Sequence, residues 1–305
     1  MSDVSRLRAL VEVARRGSFS AAADALAFTQ PSVSRQIATL EEEVGAQLLE
    51  RDARSVRLTQ AGEVLVEHAE AVLARLDAAK AQVEALEGLE GGRLRLTAFG
   101  SANVWLVPQA LSRFAERHPK VELSLVRVDP VGAAAVLVAL RSGDVDLALL
   151  TSWDIAEPDA AEGVEIVRVL RDELYVALPR AHRLAKRKRL AFGDLADETW
   201  IEGAHPDCLG SVEELGRLLE AEPRIGFHCD DWIGKQALVG AGVGITLVPS
   251  LAAGNLRDDV VVRRLPRSLP PREIYAVVPS AYRAPAVDEM LTCLRETAES
   301  LPAAD

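Results

Sequence analysis

Apolar side chains recur at alternating intervals of four and three residues in the first third of this 305-residue chain, and this repeat constrains the fold most strongly. The repeat consists of Leu65, Ala69, Val72, Leu76, Ala79, Val83 and Leu86. On an α-helix such spacing forms one apolar stripe through three heptads. The chain from Gln60 to about Leu89 contains no proline, so we predict one continuous helix of about 45 Å.

A stripe of this length needs a partner, because a single helix cannot bury it. The partner is either the same helix of a second copy or the rest of this chain. In both cases the predicted linker and dimerisation helix, residues 60–90, separates a short N-terminal segment, residues 1–59, from a long C-terminal one, residues 91–305.

Three short helices are predicted in residues 1–59. The first is indicated by apolar residues at helical spacing, which are Leu7, Leu10, Val11 and Ala14. Gly17 ends that helix, and Ser18 or Ser20 can cap a second helix. A tight turn then leads to a third helix, which Thr29 can cap.

The third predicted helix, from Gln30 to about Val44, has two different faces. Its apolar face consists of Val33, Ile37, Leu40 and Val44. Its opposite face carries short or fork-shaped side chains, which are Pro31, Ser32, Ser34, Arg35, Ala38 and Thr39. Such a face lets a helix enter the major groove of DNA and contact base edges and phosphates.

A basic turn follows the third helix. After Gly45, the segment LLERDARSVRLTQAG places Arg51, Arg54 and Arg57 in what the pattern predicts to be a short β-hairpin. A hairpin beside a groove helix would follow the DNA phosphates. The helices, the turn and the hairpin together predict a winged helix-turn-helix.

The charge of the chain limits how it can bind nucleic acid. The net charge is −11, which argues against coating of nucleic acid by bulk charge alone. Residues 1–62 carry eight acidic and eight basic side chains, so the negative excess lies after them. A neutral segment binds DNA when its arginines share one face, as the third helix and the hairpin predict.

Composition also narrows the function classes. No apolar run approaches the roughly 20 residues of a membrane span, and the N-terminus lacks the apolar core of a secretory signal. We therefore expect a cytoplasmic protein without membrane contact. Cys208, Cys229 and Cys293 are scattered, which indicates reduced thiols. No catalytic or metal-ligand motif is present, so we expect neither an enzyme nor a metal or other cofactor.

Residues 91–305 alternate strand-like apolar runs with helical patterns, which predicts an α/β domain with a mostly parallel sheet in two linked lobes. In open α/β sheets a ligand binds beyond the carboxyl ends of the strands. The loop residues predicted to lie there are Ser101, Ala102, Asn103, Thr151, Ser152, Gly203 and Thr246. For each hydroxyl, a helix cap or a surface turn is the alternative.

Residues 17–62 resemble the DNA-binding signature of the LysR-type transcription regulators almost position by position. The resemblance includes the pair Ala22 and Ala23 and the QPSVSRQI start of the third helix. Leu49 and Ala53 stand where the family often has Phe and Gly. Carried over to this chain, the groove contacts of the family are Gln30, Pro31, Ser34 and Arg35, and its backbone contacts are Arg51 and Arg54.

The C-terminal half also resembles this family. The runs SANVWLVPQALSRFAERHP, LRSGDVDLALL and DDWIGKQALVGAGVGITLVP look like landmarks of its periplasmic-binding-protein-like effector domain. The resemblance implies a first lobe of about 93–163 plus 269–305 and a second lobe of about 164–268. It also implies that a small-molecule effector binds between the two lobes.

The combined prediction is a sequence-specific, DNA-binding transcription regulator whose activity a small molecule modulates. Its expected partners are a double-stranded DNA operator, the effector and further copies in a homodimer or homotetramer, with RNA polymerase as a candidate. Two alternatives remain open. One is a redox-responsive regulator of the same fold that uses the Cys208 thiol, and the other is a solute-binding protein, for which the two lobes alone would suffice.

Overall fold

The N-terminal unit consists of three helices and a hairpin. The computed structural model describes residues 4–52, 55–85, 91–128, 132–155, 163–202, 212–265, 272–280 and 283–301. The first elements are α1 (Val4–Arg16), α2 (Phe19–Ala25), α3 (Gln30–Val44), β1 (Leu49–Asp52) and β2 (Ser55–Leu58). Leu10, Val13 and Ile37 are fully buried between the helices. The predicted winged helix-turn-helix is confirmed.

Local hydrogen bonds and backbone conformation set the ends of these helices. The Ser18 hydroxyl accepts from the Ala21 amide at 3.4 Å, which caps α2. Thr29 occupies the N-cap position of α3 but makes no side-chain cap bond. Gly45 ends α3 in the left-handed conformation, with φ of 73°. The start of α3 therefore depends on the extended backbone of Thr29 rather than on its hydroxyl.

The long helix α4 (Gln60–Ala85) is joined rigidly to the N-terminal unit. The Thr59 hydroxyl donates to the Gln47 carbonyl at 2.7 Å and accepts from the Gly62 amide at 3.0 Å. A Cβ atom on Gly62 would stand 2.1 Å from the carbonyl oxygen of Leu48. Because only glycine permits this approach, the first turn of α4 is fixed against the segment that leads into β1.

The apolar stripe of α4 divides between two environments. Ala69 is buried against the N-terminal unit, and Leu65 is partly buried there. Val72 and Val83 are 50% and 66% exposed, and Leu86 lies outside the described residues. The chain itself thus covers only the start of the stripe, at Leu65 and Ala69, which was the alternative to self-pairing, and Val72 and Val83 are accessible to a second copy.

The first lobe of the α/β domain is built on one five-stranded sheet. Its strands are β3 (Arg93–Thr97), β4 (Glu122–Leu125), β5 (Leu147–Thr151), β6 (Val164–Asp172) and β12 (Arg272–Pro279). Their order is β4, β3, β5, β12, β6. The helices α5 (Leu106–Arg117) and α10 (Pro285–Glu299) cover one face, and α6 (Ala133–Arg141) covers the other. The sheet is mixed rather than mostly parallel, because β12 is antiparallel to both neighbours.

The second lobe contains two smaller sheets. One is antiparallel and is made of β7 (Leu174–Pro179), β10 (Thr246–Pro249) and β11 (Val260–Arg264). The other is a parallel pair, β8 (Thr199–Glu202) and β9 (Arg224–His228). The helices of this lobe are α7 (Val212–Leu219), α8 (Trp232–Gly240) and α9 (Ser250–Ala253). Among the described helices of the whole chain, none combines the length and apolar character needed to span a membrane.

The chain passes between the lobes at two neighbouring strands. It leaves the first lobe at Glu173, directly after β6, and returns at the start of β12. Residues 164–172, which the sequence assigned to the second lobe, pair with β12 in the sheet of the first lobe. The first crossing therefore lies at Glu173 instead of near Gly163. Because β6 and β12 pair, the last residue of β6, Asp172, lies opposite the first residue of β12, Arg272.

We predict that Gly62→Ala lowers the free energy of unfolding by about 1–3 kcal/mol, because the added methyl must displace the Leu48 carbonyl. Urea unfolding followed by circular dichroism measures this change. Gly193→Ala is the matched control, since a Cβ atom at that position meets no heavy atom within 4 Å. Equal effects of the two substitutions would contradict a requirement for glycine at position 62.

Candidate DNA interface and effector cleft

The helix α3 separates a buried face from an accessible one, as the sequence predicted. The buried side chains are Val33, Ile37 and Leu40. The predicted groove contacts lie on the opposite side, where Ser34 is half-buried and the others are exposed; they are Gln30, Pro31, Ser34 and Arg35. This side therefore presents short side chains and one guanidinium to solvent.

Val44 departs from the predicted pattern. It was expected to extend the buried stripe of α3, but it is 43% exposed. The reason is local, because α3 ends at this residue and Gly45 turns the chain away from the helix axis. The buried stripe therefore ends at Leu40.

The hairpin beside α3 is tied to it by one carboxylate. Glu41 of α3 accepts from the amides of Leu48 and Leu49 at 2.8 and 3.2 Å. Such charge-assisted bonds hold β1, which contains Arg51, in a defined position relative to the groove helix. Arg54 lies outside the described residues. Glu41, for which the sequence predicted no role, is the residue that holds the hairpin against α3.

A buried ion pair joins the two crossover strands. Arg272 and Asp172 are 1% and 0% exposed, and Nη2 and Nε of Arg272 lie 2.5 and 3.1 Å from Oδ2 of Asp172. Oδ1 of Asp172 accepts from the Ser250 hydroxyl at 2.5 Å and from the Leu251 amide at 3.2 Å. Since both of these donors belong to α9, the pair ties the first lobe to the second.

Ser101, which was predicted to bind the effector, contacts this ion pair. Nη2 of Arg272 donates to Oγ of Ser101 at 2.8 Å. Because arginine only donates, this bond leaves the Ser101 hydroxyl hydrogen for another acceptor. The guanidinium carbon also lies 4.9 Å from the ring centre of Phe99 and 5.6 Å from that of Trp153. Two aromatic rings thus help to hold the guanidinium in place.

The amides next to Ser101 are already engaged. Those of Ala102 and Asn103 donate to the Phe99 carbonyl at 3.1 and 3.3 Å and close a short 3-10 turn. Oδ1 of Asn103 is buried and accepts no hydrogen bond from the described residues. The polar groups that this loop offers to a ligand are therefore side-chain atoms rather than backbone amides.

Thr151 and Ser152 follow β5 on the same side of the first lobe. The Thr151 hydroxyl donates to Oδ2 of Asp154 at 2.7 Å and accepts from the Trp153 amide at 3.2 Å, so it closes a turn. Oγ of Ser152 accepts from the Glu273 amide, next to Arg272, at 3.2 Å. Ser152 therefore keeps a donor hydrogen close to the ion pair, whereas Thr151 uses its hydrogen within the loop.

The second lobe contributes less to this site than the sequence predicted. Thr246 is 2% exposed, and its hydroxyl donates to the Ile201 carbonyl at 2.9 Å. It joins β10 to β8 and presents no accessible group to a ligand. Gly203 lies outside the described residues. In addition to Ser250 and Leu251, Asn255 of the second lobe contacts the first lobe, because its side-chain amide donates to the Val104 carbonyl at 3.3 Å.

Asp172 and Arg272 were missed by the sequence analysis. Arg272 begins β12, which is largely apolar after Glu273, and Asp172 ends β6, which also carries Glu165, Arg168 and Arg171. Asp172 and Arg272 each stand beside one of the two lobe crossings. Opposite charges at the two crossings were the available signal, because charged side chains that are buried between two lobes require partners.

Neither of the two described thiols has the lowered pKa of a reactive cysteine. Burial, followed by the hydrogen bond and charge of Asp231, raises the pKa of Cys229. Burial also raises the pKa of Cys293, although Arg117 opposes it. A raised pKa leaves less thiolate, the reactive form, at neutral pH. The redox alternative depends on Cys208, which lies outside the described residues.

The fold and these sites define a regulator in which a DNA-binding unit is joined to a ligand-binding α/β domain. Two family descriptions match the chain: "Bacterial regulatory helix-turn-helix protein, lysR family" over residues 4–63 and "LysR substrate binding domain" over residues 87–299. The chain belongs to the LysR family of DNA-binding transcription regulators. This membership decides against the solute-binding alternative.

Similar proteins agree with this assignment. The chain is 33% identical over 302 residues to the probable HTH-type transcriptional regulator LrrA of Synechococcus elongatus, covering 99% of both chains. Full-length OxyR from Pseudomonas aeruginosa matches with a TM-score of 0.76 at 20% identity, over 100% of this chain and 99% of that one. CbnR in complex with its target DNA matches with a TM-score of 0.65 at 24% identity, over 97% and 100%.

Several predictions from the sequence are thereby confirmed. They are the family, the fold class, the function as a DNA-binding transcription regulator with an effector domain, and DNA and an effector as partner classes. The individual contact residues stay predictions.

We predict that Arg272→Met destabilises the effector domain by about 3–5 kcal/mol, because Asp172 would stay buried without its partner. Urea unfolding measures the change. Arg168→Met is the matched control, since Arg168 is 68% exposed and lies 3.7 Å from Glu273; it should cost less than about 1 kcal/mol. Adding Asp172→Leu to Arg272→Met should recover part of the loss. Similar costs for Arg272→Met and Arg168→Met would contradict this account.

Proposed function

We propose that α3 reads a double-stranded operator, while the hairpin contacts the DNA backbone. The proposed base contacts are Gln30, Pro31, Ser34 and Arg35, and the proposed phosphate contacts are Arg51 and Arg54. The observation that carries this proposal is the single accessible face of α3, opposite three fully buried side chains. Short residues let the helix approach the bases, and a guanidinium can bind guanine through two hydrogen bonds.

A small molecule bound between the lobes regulates this DNA binding. Ser101 is central to the proposed site, because its oxygen accepts from Arg272 and its hydrogen is left to donate. Ser152 has the same property. We therefore expect an effector that offers hydrogen-bond acceptors, such as carboxylate or carbonyl oxygens. Thr151, Ala102 and Asn103 shape the loops around these two hydroxyls.

Each part of the chain has a separate role in this proposal. Residues 1–59 bind DNA, residues 60–90 link the domains and pair with a second copy, and residues 91–305 bind the effector. The exposed Val72 and Val83 of α4 support the pairing, because their burial by another copy removes apolar surface from water. The protein acts in the cytoplasm as a regulator and catalyses no reaction.

We predict that Arg35→Ala weakens binding to a preferred operator by about 1–3 kcal/mol and has a much smaller effect on random DNA. Duplexes selected by the unsubstituted chain from a random library supply the operator, and fluorescence anisotropy measures both affinities. Arg57→Ala is the comparison variant. Arg57 is exposed on β2 of the hairpin that is proposed to follow the DNA backbone, so its loss should weaken binding to both duplexes alike. Unchanged operator binding by Arg35→Ala would remove this residue from base recognition.

We also predict that Ser101→Val weakens effector binding about tenfold or more, because a buried acceptor on the ligand would lose its donor. A thermal-shift screen of small organic acids identifies a ligand of the unsubstituted chain, and calorimetry then compares the variants. Ser280→Val, at the opposite end of β12, is the control and should bind normally. Equal affinity of Ser101→Val and the unsubstituted chain would rule out the proposed cleft.

A further inference from the structure

Arg15 connects three parts of the molecule that are distant in the sequence. It lies in the last turn of α1. Its Nη1 donates to Oδ1 of Asp144 at 2.9 Å, and its Nε and Nη2 donate to Oε1 of Glu70 at 3.2 and 3.1 Å. Glu70 belongs to α4, and Asp144 belongs to the loop between α6 and β5. One guanidinium thus contacts the linker helix and the effector domain from the DNA-binding unit.

The contact is specific in geometry but accessible to solvent. A guanidinium presents its donors in one plane, so it can bind two carboxylates in fixed directions. Burial lowers the pKa of Arg15, but Asp144 and Glu70 outweigh burial and raise this pKa above its ordinary value. The side chains of Arg15 and Asp144 are 34% and 47% exposed. Salt therefore screens the contact, which makes it weak and reversible.

Asp144 is held in place by its own loop. The Ser142 hydroxyl donates to Oδ2 of Asp144 at 2.8 Å, and the Asp144 amide donates to the Ala139 carbonyl at 2.9 Å. Two residues further on, Asp146 binds Nε and Nη2 of Arg95 at 3.1 and 2.8 Å, one with each carboxylate oxygen. The loop is therefore anchored to β3 and presents Asp144 as a fixed acceptor.

The strand β5 connects this loop to the proposed effector site. It begins three residues after Asp144, and all five of its residues are buried. Ser152 follows its other end and accepts from the Glu273 amide. A buried strand moves as a unit, because its neighbours fill the space around it. β5 therefore connects the Ser152 end of the proposed site directly to the loop that holds Asp144.

The space beside the contact is open. A cavity of about 1130 Å³ lies between α4 and the first lobe, and Glu70, Ser142 and Gly143 are among the residues that line it. Side chains that line a cavity lose the contacts that a filled junction would provide. The position of the first lobe relative to α4 therefore depends more on polar contacts, such as those of Arg15, than it would if apolar side chains filled this space.

We propose that the loop from Ser142 to Asp146 is the surface of the effector domain on which the DNA-binding unit of the same chain docks, with Asp144 as the acceptor for Arg15. The docking restrains α1 and, through their common core, α3. A change in the docked population therefore changes DNA affinity. The link to the effector rests on the proposed function, whereas the docking itself does not.

The test is a cycle of neutral substitutions in the full chain: Asp144→Asn, Arg15→Gln and both together. The probe is a random-sequence DNA duplex, and fluorescence anisotropy at low salt gives the affinities. We expect the effect of Asp144→Asn on the affinity to differ about two- to five-fold between the unsubstituted chain and the Arg15→Gln background. The cycle removes the general effect of one lost negative charge, because this effect is common to both backgrounds.

Arg16→Gln supplies the matched background. Arg16 is the neighbour of Arg15 but pairs with Glu12 of the same helix at 2.8 Å. In the Arg16→Gln chain, Asp144→Asn must therefore have the same effect on DNA affinity as in the unsubstituted chain. High salt must abolish this effect, because it screens the contact between Arg15 and Asp144. The same change in all backgrounds, or no change in the unsubstituted chain, overturns the proposal. Random DNA requires neither operator nor effector, so this failure would leave the proposed cleft intact, and Ser101→Val tests that cleft separately.

Discussion

Between the two lobes, Asp172 and Arg272 share a site from which water is excluded, and the arrangement of the effector domain depends on this ion pair. Two charges in a dry interior are costly to desolvate, and the cost is offset only when their hydrogen-bonding groups are satisfied. Ser101 from one lobe and Ser250 and the Leu251 amide from the other supply such bonds. The pair therefore positions loops of both lobes at the point where the chain crosses between them.

Local signals were sufficient to predict most of the DNA-binding half. The spacing of Val33, Ile37 and Leu40 identified both faces of α3, because helix geometry alone decides which residues share a side. The role of Glu41 was not predictable in this way. Its carboxylate bonds the amides of Leu48 and Leu49, and their approach depends on how the chain turns after the helix rather than on any periodic pattern.

The effector half was less predictable, because hydrogen bonds between distant residues decide which side chains remain available to a ligand. The sequence places Thr246 near the end of a strand, but only the fold shows that Ile201, 45 residues away, uses its hydroxyl. Asp172 and Arg272 are 100 residues apart, and no spacing rule connects them. The assignment of β6 failed for the same reason, since its partner strand β12 comes much later in the chain.

The attachment of α4 at Gly62 has a mechanical consequence. The helix has 26 residues, so at 1.5 Å per residue it is about 39 Å long. Because its first turn packs closely against the Leu48 carbonyl, we expect the helix and the DNA-binding unit to move together as one lever arm. A tilt of about 5° at one end displaces the other by about 3.4 Å, the axial rise of one base pair. Angular changes that are minor at the effector domain are therefore large enough to shift α3 by one step along a duplex.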